Sequence, residues 1–241
     1  MGLNLTIDQG NSSAKIAVWD GSLLVEQETM KELTRQHLAK MVTRFQPANA
    51  LCCSVTGNAN RIAQWLISQG VNACAVRHDM PMPLKIDYTT PSTLGADRIA
   101  AAIGAWSLFE GQNSLVVDLG TAATYDFVSA DGHFRGGNIA PGIGMRLRSL
   151  HSFTARLPEV GGYGEIPVFG HDTATAMRSG AVRGVAGEIA YYRSCLPGDT
   201  NVILTGGWAK HVDEFLTFPT TIEPCLVTKG LLSILLYNET K

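Results

Sequence analysis

The 241-residue chain carries little charge: Asp, Glu, Lys and Arg make up 17% of it, and aromatic residues 7%. A disordered chain would be richer in charge and poorer in the apolar residues that form 45% of this one. An excess of one sign is also missing. Nineteen basic against 21 acidic residues leave a net charge of −2, so there is no global basic field for nucleic acid. An anionic ligand must then be held by local donors and metal. No apolar run approaches ~20 residues, so no membrane span is expected. The N-terminus lacks a basic flank followed by a long apolar stretch, so no signal peptide is visible and a cytoplasmic location is the expectation. The five cysteines, Cys52, Cys53, Cys74, Cys195 and Cys225, are odd in number and show no CxxC spacing. That pattern argues against a disulfide frame or structural zinc site and favours reduced core thiols. The histidines show no metal-ligand spacing. No Gly-Lys-Ser/Thr follows the glycine-rich segments, which excludes a Walker A loop, and no strand–helix turn has Rossmann glycine spacing.

What the chain does have is a repeat. Leu5-Thr6-Ile7-Asp8-Gln9-Gly10-Asn11-Ser12 returns 110 residues later as Leu115-Val116-Val117-Asp118-Leu119-Gly120-Thr121-Ala122. Each copy is an apolar strand ending in Asp-x-Gly, followed by a second strand and an Asp-Gly turn (Asp20-Gly21; Asp131-Gly132). Duplication of a strand, a tight turn and a return strand predicts two related halves, residues 1–112 and 113–241.

In the first half, strands are expected near Leu3–Asp8, Lys15–Trp19 and Leu23–Glu28. A helix follows from Leu33 to Phe45, ended by Pro47, then a strand at Ala50–Val55, a helix at Asn60–Ser68 stopped by Gly70, and a strand at Ala73–Val76. Three strands and then alternating helix and strand is a ribonuclease-H-like order. Met80–Pro91 reads as an ordered loop, and a helix runs from Leu94 to Phe109. The second half repeats the opening with strands at Ser114–Leu119, Ala123–Ser129 and His133–Ala140, then a helix carrying Met145, Leu147 and Leu150. After a loop from Thr154 to Phe169, a long helix spans Thr173–Ser194. Its Gly180, Gly184 and Gly187 form a bare stripe that predicts tight packing against a backbone of the same chain or of a partner subunit. A strand at Asn201–Leu204, the Gly206-Gly207 turn and a terminal helix at Leu226–Leu236 complete the chain.

Four segments have the residues for chemistry. At the first turn, Gly10 is expected to take positive φ and aim amides at a ligand, with Asn11, Ser12 and Ser13 as short donors. Asp8 at the strand tip suits Mg²⁺, directly or through water, and Lys15 suits phosphate oxygens. The second turn offers Asp118, Gly120 and Thr121 but no lysine, so the halves are not interchangeable. Such asymmetry fits one nucleotide lying across both halves better than two separate sites. Gly206-Gly207 fits either an adenosine contact or a plain strand–helix turn. Asp97 and Arg98 begin a helix among small and apolar residues. Asp97 is either a capping carboxylate or the base for an attacking hydroxyl, and Arg98 has the fork to pair with a substrate carboxylate.

Taken in order, Asp8-x-Gly-Asn-Ser-x-x-Lys15, Gly95-Ala-Asp-Arg98, Asp118-x-Gly-Thr-Ala122 and Gly136-Gly-Asn-Ile-Ala-Pro-Gly142 resemble the type III pantothenate kinases. Thr154-Ala-Arg-Leu-Pro158 and Gly170-His-Asp-Thr173 resemble family segments too. The resemblance implies the fold of the sugar kinase, heat-shock chaperone and actin superfamily: α/β, with two ribonuclease-H-like (actin-like ATPase) domains of mixed sheets flanked by helices. It implies ATP-dependent phosphorylation of pantothenate, the first step toward coenzyme A. By motif match, Asp8, Gln9, Gly10, Asn11, Ser12, Ser13, Ala14, Lys15 and Thr121 would contact ATP. Asp118 would hold a monovalent cation, K⁺ or NH₄⁺, beside the Mg²⁺ that accompanies ATP. Tyr88, Gly95, Ala96, Asp97, Arg98 and Thr173 would contact pantothenate, with Asp97 as general base. Family members are homodimers with the pantothenate site near the subunit interface. Ser12 stands where Thr is commoner, and both hydroxyls bond phosphate. Two other readings are a nucleotide-dependent regulator on the same fold, which would need neither Asp97 nor Arg98, and a kinase for another small alcohol. A nuclease would want clustered carboxylates and a basic groove, which the chain lacks.

Overall fold

The computed structural model describes residues 2–239. The chain divides into two compact units, one formed by Met1–Glu110, Gly132–Phe134 and Cys225–Lys241, the other by Gly111–Asp131 and Arg135–Pro224. In the first, strands β1 (Asn4–Gln9), β2 (Ala14–Asp20) and β3 (Leu23–Met30) form an antiparallel meander. Helix α1 (Arg35–Phe45), β4 (Asn49–Ser54), α2 (Ala59–Ser68) and β5 (Asn72–Ala75) follow, giving the sheet order β3-β2-β1-β4-β5. β4 and β5 run parallel to β1. Period-two alternation sends Leu5, Ile7, Ile16, Val18, Ala50 and Cys52 to one face, against Leu38 and Met41 of α1 and Ile62 and Leu66 of α2. Thr34 caps α1 reciprocally with His37, and Gln46, in the left-handed region, ends it just before Pro47. A two-residue strand β6 (Lys85–Ile86) pairs in parallel with His133–Phe134, an element the expected loop did not anticipate. Helix α3 (Ala96–Leu108) completes this stretch.

The second unit opens with β7 (Ser114–Leu119) and β8 (Ala122–Ser129); β9 (His133–Pro141) begins in the first unit and belongs to the second from Arg135 on. Then come α4 (Ile143–Ser152), α5 (Thr173–Ser194), β10 (Asn201–Thr205), α6 (Ala209–Asp213) and the short β11 (Thr221–Ile222). β7 and β8 are antiparallel, and β10 lies parallel to both β7 and β11. Leu115, Val117 and Leu119 pack with Val182, Val185 and Ile189 of α5 and with Ile143 and Leu147 of α4. Glu188 of α5 ties the elements together: it accepts from the Tyr125 hydroxyl at 2.6 Å and from Arg146 Nη2 at 2.7 Å. α5 has the expected bounds, but among the described residues no other backbone meets its glycine stripe. A Cβ at Gly180 or Gly187 would meet nothing within 4 Å, and one at Gly184 only the tip of Arg146.

The last helix, α7 (Leu226–Glu239), corrects the expected division at residue 112, because it groups with the first unit. The reason is a helix crossing. A Cβ on Gly230 would run into the carbonyl oxygen of Ala100, and one on Gly104 into that of Leu226. The two glycines let α3 and α7 approach backbone to backbone, and Leu232 of α7 packs on Ala17 and Trp19 beneath. Two further expectations are corrected. Gly10 is not among the residues with positive φ; its turn closes by an N–H bond to Ser13 at 2.9 Å, and a Cβ would sit 3.1 Å from that same oxygen. Only Cys52 and Cys53 are core thiols, since Cys74 and Cys195 are exposed and Cys225 is half-buried. Among the described residues, no helix is long and apolar enough to cross a membrane. Overpacking at a closed contact costs about 1–3 kcal/mol. Gly230→Ala is therefore expected to lower the melting temperature by roughly 2–12 °C, read by differential scanning calorimetry. An unchanged transition would show that the crossing is not tight.

Candidate active site

In the first unit the chemistry gathers at the C-terminal end of β1. Asp8 stands between Lys15 on β2 and Cys53 on β4, its register partners on either side. The Cys53 thiol donates to Asp8 Oδ1 at 3.4 Å. One residue on, the Gln9 side-chain oxygen accepts from Ser54 Oγ at 2.8 Å and Thr56 Oγ1 at 3.1 Å. Asn11, Ser12 and Ser13 are exposed at the turn, and Ala14 returns to the core. Burial pushes the Asp8 carboxyl up to about 6; the Cys53 hydrogen bond and the Lys15 charge pull it back, and the nearby Asp97 charge adds to the rise. Burial likewise drives Cys53 well above the usual thiol range, so it remains an S–H donor.

Asp97 lies in the first turn of α3, with its Oδ1 accepting the Arg98 backbone N–H at 2.9 Å. Gly95 makes that placement possible, since a Cβ there would occupy the space of Asp97 Oδ1. Asp97 is half-buried, whereas Arg98 is only 6% exposed. The Arg98 guanidinium is flanked by the Tyr88 ring at 5.9 Å and the Phe134 ring at 5.8 Å. Asp87, next to Tyr88, bonds His133 Nδ1 at 2.8 Å, and its N–H donates to the Phe134 carbonyl. β6 therefore fixes Tyr88 and Phe134 around Arg98.

In the second unit Asp118 ends β7, opposite Thr124 on β8 and Thr205 on β10. Gly206 follows Thr205 at φ +87°, and a Cβ on it would run into Asp118 Oδ1 and the Leu119 carbonyl. The Trp208 N–H donates to Leu119 O at 3.1 Å and the Gly142 N–H to Thr121 O at 3.1 Å. Both glycine-rich segments thus brace the Asp118–Thr121 turn. Trp208 stacks on Tyr163 at 4.5 Å, with His211 beside them. Thr173, exposed, opens α5 behind the capping Asp172.

The structure brings Asp8, Lys15 and Asp97 into one electrostatic neighbourhood and sets Tyr88 against Arg98. It gathers Asp118, Thr121 and Gly206 in the other unit. Sequence reasoning missed Cys53, Ser54, Thr56, Phe134 and Tyr163. Cys53 and Ser54 arrive by strand register, Thr56 from the turn after β4, and the last two by packing, and none has a local motif. Among the described residues no cluster of three or more His, Cys, Asp or Glu forms a ready metal cage. Oxygen donors for a hard cation are nevertheless present. The Asp8 carboxylate lacks full charge compensation, and opposite Asp118 lies Thr205 Oγ1, buried without a hydrogen-bond partner.

The family model for type III pantothenate kinase matches residues 4–194. A type III pantothenate kinase of Azobacteroides pseudotrichonymphae is 37% identical over 237 residues, covering 98% of this chain and 97% of that protein. Among solved structures, a Baf family protein from Campylobacter jejuni superposes with a TM-score of 0.67 at 20% identity, covering 98% of this chain and all of that one. The ROK hexokinase of Thermus thermophilus gives 0.53 at 16% identity, covering 99% of this chain and 100% of that one, and so shares the two-sheet sugar-kinase fold. With most of its length matched in this way, and with the Asp8, Asp97 and Asp118 turns built as described, the chain belongs to the type III pantothenate kinase family.

Proposed function

We propose that the chain transfers the γ-phosphoryl group of Mg-ATP to the primary hydroxyl of pantothenate, giving 4'-phosphopantothenate. The observation that carries this reading is the pairing of Asp8 with Asp97. A half-buried carboxylate suited to Mg²⁺ lies within electrostatic reach of a second carboxylate held open at a helix start. Asp97 is assigned as the general base that accepts the hydroxyl proton. Mg²⁺, when bound with ATP, neutralises phosphate charge, and Asp8 is the residue assigned to it, directly or through water. Lys15, the amides and hydroxyls of residues 9–14, and Thr121 are assigned to the phosphates. Tyr88, Gly95, Ala96, Asp97, Arg98 and Thr173 are assigned to pantothenate. For Arg98 the enclosing rings favour a role in shaping that wall over a direct clamp on the substrate carboxylate.

Asp118 is assigned to the monovalent cation, K⁺ or NH₄⁺; the orphaned Thr205 hydroxyl across the β10–β7 register supports an oxygen-rich cation site there. A homodimer completes the reading. α5 presents open space at Gly180 and Gly187, and Tyr191 on it is 64% exposed. Phe153 and Phe169 on the same unit are each 88% exposed, apolar surface that a second copy would cover. A cytoplasmic location belongs with it, since all five thiols are free.

The direct test is ADP release in a coupled assay with pantothenate, with and without potassium; no pantothenate-dependent release would refute the assignment. Asp97→Asn is expected to fold normally and lose turnover by roughly 10²–10⁴-fold, and near-normal turnover would remove Asp97 from its role. Asp118→Asn should weaken potassium activation, seen as a right-shifted curve of rate against potassium. A superimposable curve would place the cation elsewhere. Asp8 adds a pH signature. The folded protein holds its proton more tightly than the unfolded chain, so its contribution to stability is full below about 3.8 and is lost as pH rises through about 6. Without Mg²⁺ and nucleotide, Asp8→Asn should flatten that decline and melt about 2–4 °C higher at pH 7.5 for each kcal/mol of burial cost removed, while losing activity. Parallel stability–pH curves for the two proteins would contradict the burial of this carboxylate.

A further inference from the structure

Cys52 and Cys53 are neighbours on β4 with different surroundings. Cys52 faces the apolar cluster under α1 and α2. Cys53 points to the opposite face, is 1% exposed, and donates its S–H to Asp8 Oδ1 at 3.4 Å from directly across the β1–β4 register. Ser54 repeats the pattern one residue on, donating to Gln9 Oε1 from its own register position. The tip of β4 therefore supplies one side-chain donor to each of the two residues at the tip of β1. We propose that Cys53 is a positioning residue for phosphoryl transfer: its thiol fixes the Asp8 carboxylate in the orientation that receives Mg-ATP. The proposal rests on the kinase reading above.

The physical argument is one of freedom removed in advance. Asp8 ends a strand, where only part of its surroundings is packed, and its carboxylate can turn about two side-chain torsions. Lys15, its register partner on β2, adds an attractive charge, and a point charge is less directional than a hydrogen bond. The Cys53 thiol is short, sits on a central strand and is shut off from solvent, so its position is set by the sheet. A donor of this kind selects one carboxylate orientation and leaves the second oxygen for the ligand. Preorganised oxygens bind a cation more tightly than mobile ones, because the ordering cost has already been met in folding. Cys53 is buried and its side-chain hydrogen bond goes to Asp8, so its effect runs through that carboxylate.

The test compares Cys53→Ala and Cys53→Val, which remove the donor, with Cys53→Ser, which keeps one. Binding of a non-hydrolysable ATP analogue with Mg²⁺ is measured by calorimetry on the full chain, alongside melting temperature without ligand and steady-state kinetics. Loss of one hydrogen bond to a charged group corresponds to roughly 10-fold weaker binding. The expected result is that loss for Ala and Val, near-native binding for Ser, and a rise in KM for Mg-ATP larger than any fall in kcat. The order of binding should not follow the order of melting temperatures. Native-like binding by Ala and Val, or a Ser variant as weak as Ala, would overturn the proposal. A native enzyme that binds the analogue but releases no ADP with pantothenate would instead refute the kinase reading, so the two failures are distinguishable.

Discussion

A carboxylate that is costly to keep charged stands at the centre of this protein. Asp8 ends an apolar strand, and burial there raises its proton affinity to an extent that Lys15 and Cys53 only partly offset. The same exposure to an uncompensated charge is what makes the position suited to a cation-bearing phosphate. A fully neutralised carboxylate would be more comfortable and less available. Asp97 compounds the cost, since its charge lies close enough to discourage ionisation of Asp8. The first unit thus holds a deficit of positive charge at Asp8, which a divalent cation such as Mg²⁺ is suited to make good.

Space, more than backbone conformation, explains the glycines that matter. Gly95 leaves room for the Asp97 carboxylate, and Gly206 leaves room for that of Asp118. Gly104 and Gly230 leave room for two helix backbones to meet. Of these only Gly206 also takes positive φ. Gly21 and Gly70, by contrast, take positive φ in open space, as turn glycines do. The practical meaning is that alanine at the close-packed positions displaces a functional oxygen or a helix, and the damage appears at the neighbour.

The two units share a plan and differ in detail. In both, an antiparallel hairpin opens the sheet and an Asp-x-Gly turn ends its first strand. The first turn is backed by donors from β4 and by Lys15. The second is braced by backbone from Gly142 and Trp208 and faces a buried threonine hydroxyl. Side-chain charge serves one turn and backbone geometry the other. With a net charge of −2 the chain has no general field to attract phosphate, so local donors such as these must do the binding.

The amino-acid sequence by itself determined the duplicated hairpins, the ribonuclease-H-like element order and the span of α5, because hydrophobic period and turn residues act over a few neighbours and are written locally. It also determined the motif residues Asp8, Asp97 and Asp118, whose side chains are distinctive and whose flanking residues announce them. The tertiary structure alone decided that residues 225–241 join the first unit, that Cys53 rather than Cys52 reaches Asp8, and that Phe134 closes over Arg98. Each depends on which residues of distant segments come opposite one another. A glycine pair 126 residues apart, or the register of β4 against β1, has no signature within either segment. The glycine stripe of α5 shows the same limit from the other side: its spacing was plain, but only the folded chain revealed that, among the described residues, nothing fills the space at Gly180 and Gly187.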